Sequence, residues 1–74
     1  MKNLKPQQNI DIRNIEYHVN AIQNANNIND IYFNWGAAKA YIDCARWLTL
    51  EECNRITDIV NDAANEKLQE LRTR

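Results

Sequence analysis

The stretch NWGAAKAYIDCARWL, from Asn34 to Leu48, decides the fold of this 74-residue chain. It contains the chain's single glycine, both tryptophans and one of its two cysteines. From a few residues upstream, apolar side chains recur every three or four positions, at Ile28, Ile31, Trp35, Ala38, Ile42 and Ala45. This spacing is typical of one face of an α-helix and has the form of a heptad seam. It predicts a helix from about Ile28 to Trp47.

A second apolar stripe runs along the same predicted helix. Its members are Phe33, Ala37, Ala40, Cys44 and, at the end, Leu48. The polar positions that are left form only a narrow face. Because a helix that is apolar over most of its circumference is normally buried, the pattern predicts a central helix that is packed on both sides.

Two further helices are predicted, one on each side of this segment. Apolar residues at Ile12, Ile15, Val19 and Ile22 indicate a helix over about residues 9–26. The sequence NANNIND then breaks the pattern, and Asn27 or Asn29 can cap the next helix. A third helix over about residues 50–70 has a capping-box signature, with Thr49 at the N-cap and Glu52 three residues later.

The composition agrees with an all-α fold. One glycine and one proline leave few helix breakers, and 74 residues form one domain at most. We therefore predict a polar lead-in over residues 1–8 and a single helical domain over residues 9–72. The expected architecture is a compact three-helix bundle, and since so short a chain buries little surface by itself, we expect a homodimer.

The charge and the N-terminus limit the possible partners. The net charge is -1, which gives no general attraction to nucleic acid or to an anionic membrane. No apolar run has the length of a membrane span, and the segment MKNLKPQQN lacks the hydrophobic core of a signal peptide. The expected location is the cytoplasm, where cysteines are reduced.

The sequence predicts no catalytic, cofactor or metal site. Cys44 and Cys53 are nine residues apart, whereas structural zinc sites use closely spaced pairs. Both are interpreted as small buried hydrophobes, and His18 as a residue at the edge of the core. Glu51 and Glu52 are adjacent, but neighbouring side chains on a helix point apart. These patterns favour a protein that is not an enzyme.

Small residues and tryptophans on the second helix indicate an interface. Gly36, Ala40 and Cys44 are spaced by four, which lets another helix backbone, of the same chain or of a second one, come close. Two tryptophans are difficult to bury in one small monomer, and tryptophan is enriched at interfaces. The sequence predicts a protein-binding surface formed by Trp35, Gly36, Ala40, Tyr41 and Trp47.

A small nucleic-acid-binding transcriptional regulator is the alternative function. Lys39 and Arg46 lie one heptad apart in the sequence, and Lys2 and Lys5 precede the first helix. Acidic residues such as Asp43 interrupt any basic face, however, and nucleic-acid binding needs such a face. Protein binding is therefore the favoured function.

The segment WGAAKAYIDCARWLTLEECNRITDIVNDA, from Trp35 to about Ala64, is similar to small helical proteins of the early regions of tailed bacteriophages and prophages. Short reading frames of the lambdoid phages share its size and its layout of helix, LT-x-EE corner and helix. The resemblance implies a small accessory protein, often oligomeric, that binds host or phage proteins and modulates their regulation. It carries no catalytic residues over to this chain.

Overall fold

The computed structural model describes the backbone of residues 6–73 and the side chains of residues 8–73. These residues form three α-helices joined by two short corners: α1 (Pro6–Gln23), α2 (Ile28–Cys44) and α3 (Leu50–Arg72). Residues 6–73 include no β-strand. The predicted all-α three-helix bundle is confirmed, and the part of the predicted lead-in that precedes Pro6 lies outside the described residues.

The first helix begins and ends about three residues earlier than predicted. Its first residue is Pro6. Proline lacks a backbone N–H, but the N–H groups of a first turn form no intrahelical hydrogen bond, so none is lost here. At the other end, the side-chain amide of Asn24 donates to the backbone oxygen of Asn20 at 2.8 Å. The next N–H, that of Ala25, bonds to Ile22, only three residues back, at 3.1 Å. This tighter turn ends α1 before the predicted boundary at residue 26.

Asn27 caps the start of α2. Its side-chain oxygen accepts the N–H of Asp30 at 2.9 Å, and its side-chain amide donates to a carboxylate oxygen of Asp30 at 3.0 Å. Both groups of the amide therefore stabilise the first turn, which confirms Asn27 as one of the two predicted caps. The corner is so short that α1 and α2 run antiparallel.

The second helix ends at Cys44, three residues before the predicted end at Trp47. The backbone of Ala45 leaves helical geometry, with φ -83° and ψ 81°. Its N–H bonds to the oxygen of Ile42 at 3.2 Å, and its own oxygen accepts the N–H of Leu48 at 3.1 Å. Trp47 consequently lies in the corner between α2 and α3, where its side chain can reach α1.

The predicted capping box of α3 is confirmed. Thr49 Oγ1 accepts the N–H of Glu52 at 3.1 Å, and a carboxylate oxygen of Glu52 accepts the N–H of Thr49 at 2.9 Å. Glu51 forms an ion pair with Arg55 one turn later, at 2.9 Å. Both carboxylates that stand side by side in the sequence thus contribute to the start of the helix.

The core receives side chains from all three helices. Its buried members are Ile15, Ile22, Ala25, Ile31, Ala38, Ile42, Val60, Ala64 and Leu68. The first apolar stripe of α2 is buried here through Ile31, Ala38 and Ile42. The other buried positions are Ile15 and Ile22 of α1, Ala25 in the corner after it, and Val60, Ala64 and Leu68 of α3.

The predicted central position of α2 is confirmed, because α1 and α3 each pack on α2 more extensively than on each other. The prediction that α2 is buried over most of its circumference is wrong. Three members of its second stripe face outward: Phe33 is 71% exposed, and Ala40 and Cys44 are also exposed. Ala37 is half-buried, and Leu48, beyond the end of the helix, packs against the core. In a bundle of three helices, each helix has two neighbours and both lie on the same side of it. The apolar residues on the opposite side of α2 therefore have no covering helix among the described residues.

Candidate protein-interaction surface

The structure divides the five predicted interface residues between different sides of α2. Gly36 and Ala40 are exposed on the side away from the core. Trp35, Tyr41 and Trp47 are half-buried and contact other helices of the same chain. The predicted residues therefore do not form one uniform interface.

Trp35 joins α2 to α3. It packs against the core, and its indole N–H donates to the side-chain oxygen of Asn61 on α3 at 2.8 Å. On its other side it stacks on the ring of Tyr32, with ring centroids 5.9 Å apart. A half-buried tryptophan whose polar group is already paired contributes to the stability of the monomer.

Trp47 joins the α2–α3 corner to α1. Its indole N–H donates to Oδ2 of Asp11 at 2.8 Å. Asp11 is the buried charged residue of the described part of the chain, and a buried carboxylate is stable only when it accepts hydrogen bonds. This contact uses residues that are 36 positions apart in the chain.

A shallow cleft of about 490 Å³ lies beside this contact. Its lining residues are Asp11, Ala40, Tyr41, Cys44, Arg46 and Trp47. Three of the five predicted interface residues, Ala40, Tyr41 and Trp47, are therefore brought together at this place. The cleft is bordered by the exposed side of α2.

Tyr41 belongs to a polar and aromatic contact between α1 and α2. Its ring stacks on His18 with centroids 5.8 Å apart. His18 Nδ1 lies 2.8 Å from Oδ1 of Asn34, whose amide group donates to the backbone oxygen of Asp30. Because that Asn34 oxygen can only accept, Nδ1 of His18 is the donor in this contact. The predicted position of His18 at the edge of the core agrees with its half-buried state.

The surface that remains uncovered is the outer face of α2, which we define as Phe33, Gly36, Ala40 and Cys44. Successive members are three or four residues apart, so they follow one side of the helix. All four are exposed and none is charged. Lys39 and Asp43 are also exposed, one turn apart, along one edge of this face.

Gly36 has a different environment from the one that its spacing predicted. A Cβ added at this residue would meet no atom within 4 Å. The prediction of a close approach by α1 or α3 is therefore wrong, because the glycine faces away from both helices. Of the two predicted neighbours of Gly36, a helix of the same chain and a helix of a second chain, only the second is left as a hypothesis.

The two cysteines differ. Cys53 is half-buried and packs against the core, as predicted, whereas Cys44 is exposed on the outer face of α2. The interpretation of Cys44 as a buried hydrophobe is wrong, since it belongs to the stripe that lacks a covering helix. In residues 8–73 no three side chains of histidine, cysteine, aspartate or glutamate are placed to hold a metal ion.

The cations of α2 do not share a helical strip. Lys39 lies on the helix, but Arg46 lies in the corner beyond Cys44. The predicted heptad spacing between the two therefore does not apply, because the helix ends before the second one. Asp43 stands one turn from Lys39 on the same edge, so this region carries both signs of charge.

A surface that the sequence did not reveal lies between α1 and α3. It consists of two adjoining depressions of about 580 and 570 Å³ that share Val19, Gln23 and Ile59. We call it the α1–α3 groove. Ile59 is 54% exposed there, because α1 and α3 form the least extensive of the three helix pairings.

The helices that the structure describes include none that is both long and apolar enough to cross a membrane. No protein-family model matches the chain, and the comparisons with curated proteins and with solved structures give no significant match.

Proposed function

We propose that this chain is a non-enzymatic protein-interaction module that forms a homodimer through the outer face of α2. The observation that carries the proposal is the exposure of an uncharged helical stripe that includes Phe33, 71% exposed, next to a glycine without neighbours. Burial of such a stripe removes apolar surface from water, and the small residues let a second helix approach closely.

Charge complementarity supports an antiparallel arrangement of the two copies. In a two-fold dimer, each copy presents the same patch to the other. Lys39 and Asp43 lie on the same edge of α2, one turn apart, with opposite charges. When two such helices cross antiparallel near Tyr41, Lys39 of each copy faces Asp43 of the other.

The cleft beside the outer face extends this proposed interface. Tyr41 and Trp47 border the same cleft as Ala40, so a second copy that crosses at the level of Tyr41 and packs on Ala40 also covers parts of both rings. The aromatic residues predicted for the interface then contribute at its rim. Their paired polar groups inside the monomer need not change.

The resemblance to phage accessory proteins supplies the biological setting of this proposal. In that setting the dimer acts in the host cytoplasm by binding a host or phage regulatory protein. Which process it modulates follows from the identity of that protein.

Light scattering coupled to size exclusion tests the dimer directly. The expected result is a mass that rises from 8.7 kDa towards twice that value as the concentration increases. Ala40→Glu, at the centre of the outer face, should keep the chain monomeric. Asn65→Glu, at an exposed position of α3, is the matched control and should leave association unchanged.

Cysteine labelling provides a second readout on the unaltered chain. Cys44 lies within the proposed interface, and Cys53 lies outside it as an internal reference. Alkylation of Cys44 should slow relative to Cys53 as the concentration rises. A constant ratio of the two rates, together with a mass that stays at 8.7 kDa at high micromolar concentration, would refute the homodimer.

A further inference from the structure

We propose that the α1–α3 groove binds an amphipathic helix of a partner protein whose polar flanks carry lysine and arginine. This surface is separate from the outer face of α2, and the proposal does not depend on self-association. The bound segment is a helical peptide that is basic and apolar on adjacent sides.

The shape of the groove fits a helix. Two short corners connect the three helices, so α1 and α3 run parallel and α2 runs antiparallel to both. The two depressions adjoin end to end, and on α3 they extend from Ile56 to Glu70. At 1.5 Å per residue this is about 21 Å, which is the length of roughly four turns. A helix laid there, opposite α2, would complete a four-helix bundle.

The floor of the groove is apolar. Ile15 and Val60 are buried beneath it, and Val19 and Ile56 are half-buried along it. Ile59 stands in the middle, where both depressions meet, and is 54% exposed. Apolar side chains at helical spacing on a partner would cover this floor, which is the usual way in which a groove takes up an amphipathic helix.

The rim of the groove is acidic and determines the charge of the partner. Glu16 lines it from α1, and Asp62, Glu66 and Glu70 line it from α3. Lys67 is the cation among the lining residues, and its Nζ is 3.0 Å from Glu70. In the part of the chain that the structure describes, no ion pair involves Glu16, Asp62 or Glu66.

This distribution favours a basic partner helix over a second copy of the chain. Carboxylates on both walls attract lysine and arginine at the two flanks of an inserted helix and repel acidic ones. The exposed edge of α2 carries Asp43 beside Lys39, so the chain's own outer helix offers no uniformly basic flanks. Complementarity of charge therefore points to a different protein.

The probe is a fluorescein-labelled synthetic peptide of about four helical turns, with leucine at heptad a and d positions and lysine or arginine at the flanking positions. Fluorescence anisotropy with the full chain should give a dissociation constant of about 1–50 μM at low salt. The affinity should fall several-fold when the salt concentration is raised about tenfold, because exposed charges are screened. Methyl resonances of Ile56 and Ile59 should shift on binding.

Two peptide controls separate shape from charge. A scrambled peptide of the same composition keeps the charge and loses the apolar stripe, and a version with glutamate flanks keeps the stripe and reverses the charge. Both should bind at least about tenfold more weakly. Equal binding of either control, or no binding of the basic peptide at about 100 μM, would overturn the proposal.

Matched variants of the chain test the location. Ile59→Ser should weaken peptide binding about tenfold, whereas Leu50→Ser changes an even more exposed apolar residue outside the groove and should have no effect. Glu66→Lys should weaken binding and reduce its salt dependence, and Asp58→Lys, exposed and outside the lining, is its control. Circular dichroism verifies that each variant keeps its helix content.

The mass of the chain without peptide shows whether a partner helix or a second copy of the chain occupies the α1–α3 groove. With no peptide present, Ile59→Ser should leave the mass measured by light scattering unchanged. A loss of dimer in this variant would show that a second copy occupies the groove, which contradicts the proposed partner. The proposed dimer is tested separately by Ala40→Glu. If the parent chain does not dimerise, the peptide-binding result still stands by itself.

Discussion

The indole N–H of Trp47 donates a 2.8 Å hydrogen bond to the buried carboxylate of Asp11, 36 residues earlier in the chain. The contact fixes the corner after α2 against the side of α1. Trp47 makes this contact from the corner, because α2 ends at Cys44 and lacks the last turn that the sequence predicted. The contact thus ties this corner to α1, next to the capping box that starts α3.

Replacement of Trp47 tests the contribution of this contact to stability. Trp47→Phe keeps an aromatic ring and removes the donor, so Asp11 loses one of its partners in a buried position. The expected loss is about 1–3 kcal/mol in the free energy of unfolding, measured by urea denaturation. Tyr17→Phe, at an exposed position outside the outer face of α2, is the control. An equal stability of the Trp47 variant and the parent would show that the bond contributes nothing.

Two apolar residues of α2 allow a direct comparison of core and surface. Ile31 is fully buried, whereas Phe33, two residues later, is 71% exposed. Ile31→Ala should destabilise the monomer by about 2–5 kcal/mol because it leaves a cavity. Phe33→Ala should change stability by less than about 0.5 kcal/mol, as expected of a surface position. Denaturation at low protein concentration keeps association out of the measurement, and similar losses in both variants would contradict the assigned burial.

We expect the capping box of α3 to contribute measurably to the stability of the chain. Thr49→Ala removes the oxygen that accepts the N–H of Glu52, and should destabilise the chain by about 0.5–2 kcal/mol. Thr49→Ser or Thr49→Asp keeps an acceptor and should retain most of the stability. A Thr49→Ala variant as stable as the parent in thermal denaturation would mean that the first turn of α3 does not need this cap.

The pairing of Lys39 with Asp43 of the second copy distinguishes the antiparallel homodimer from an association through apolar contacts alone. Lys39→Glu places two carboxylates opposite each other and should weaken dimerisation, as should Asp43→Lys, which places two ammonium groups together. The double variant Lys39→Glu/Asp43→Lys should regain the parent's affinity, since the pairs are only exchanged. Sedimentation equilibrium at low salt measures all four chains. Additive weakening in the double variant would exclude the proposed register.

Local signals in the sequence were sufficient to predict where α2 and α3 begin. Asn27 and Thr49 cap through bonds to residues three positions ahead, so the information lies within one turn of the chain. The buried stripe of α2 was equally readable, because Ile31, Ala38 and Ile42 repeat with the period of a helix. The helical class of the fold follows from these local patterns.

Which apolar residues lie on the surface could not be predicted locally, because it depends on contacts between residues that are distant in the sequence. Periodicity shows that α2 has two apolar stripes, but not how many neighbouring helices cover them, and the bundle covers only the first. The same limit applies to Gly36, whose spacing is equally compatible with a close neighbour and with open solvent. Of the predicted interface, Gly36 and Ala40 lie on the uncovered side, while Trp35 turned out to bond to α3.

The sequence by itself determined that this chain forms three amphipathic helices with defined starts, since caps and apolar periodicity act over distances of a few residues. Only the tertiary structure decided where α2 ends, which stripe faces solvent and that a groove with acidic walls opens between α1 and α3. The physical reason is that these features depend on the number and separation of neighbouring helices. Contacts between distant residues, such as that of Trp47 with Asp11, belong to this level of structure, and no local pattern encodes them.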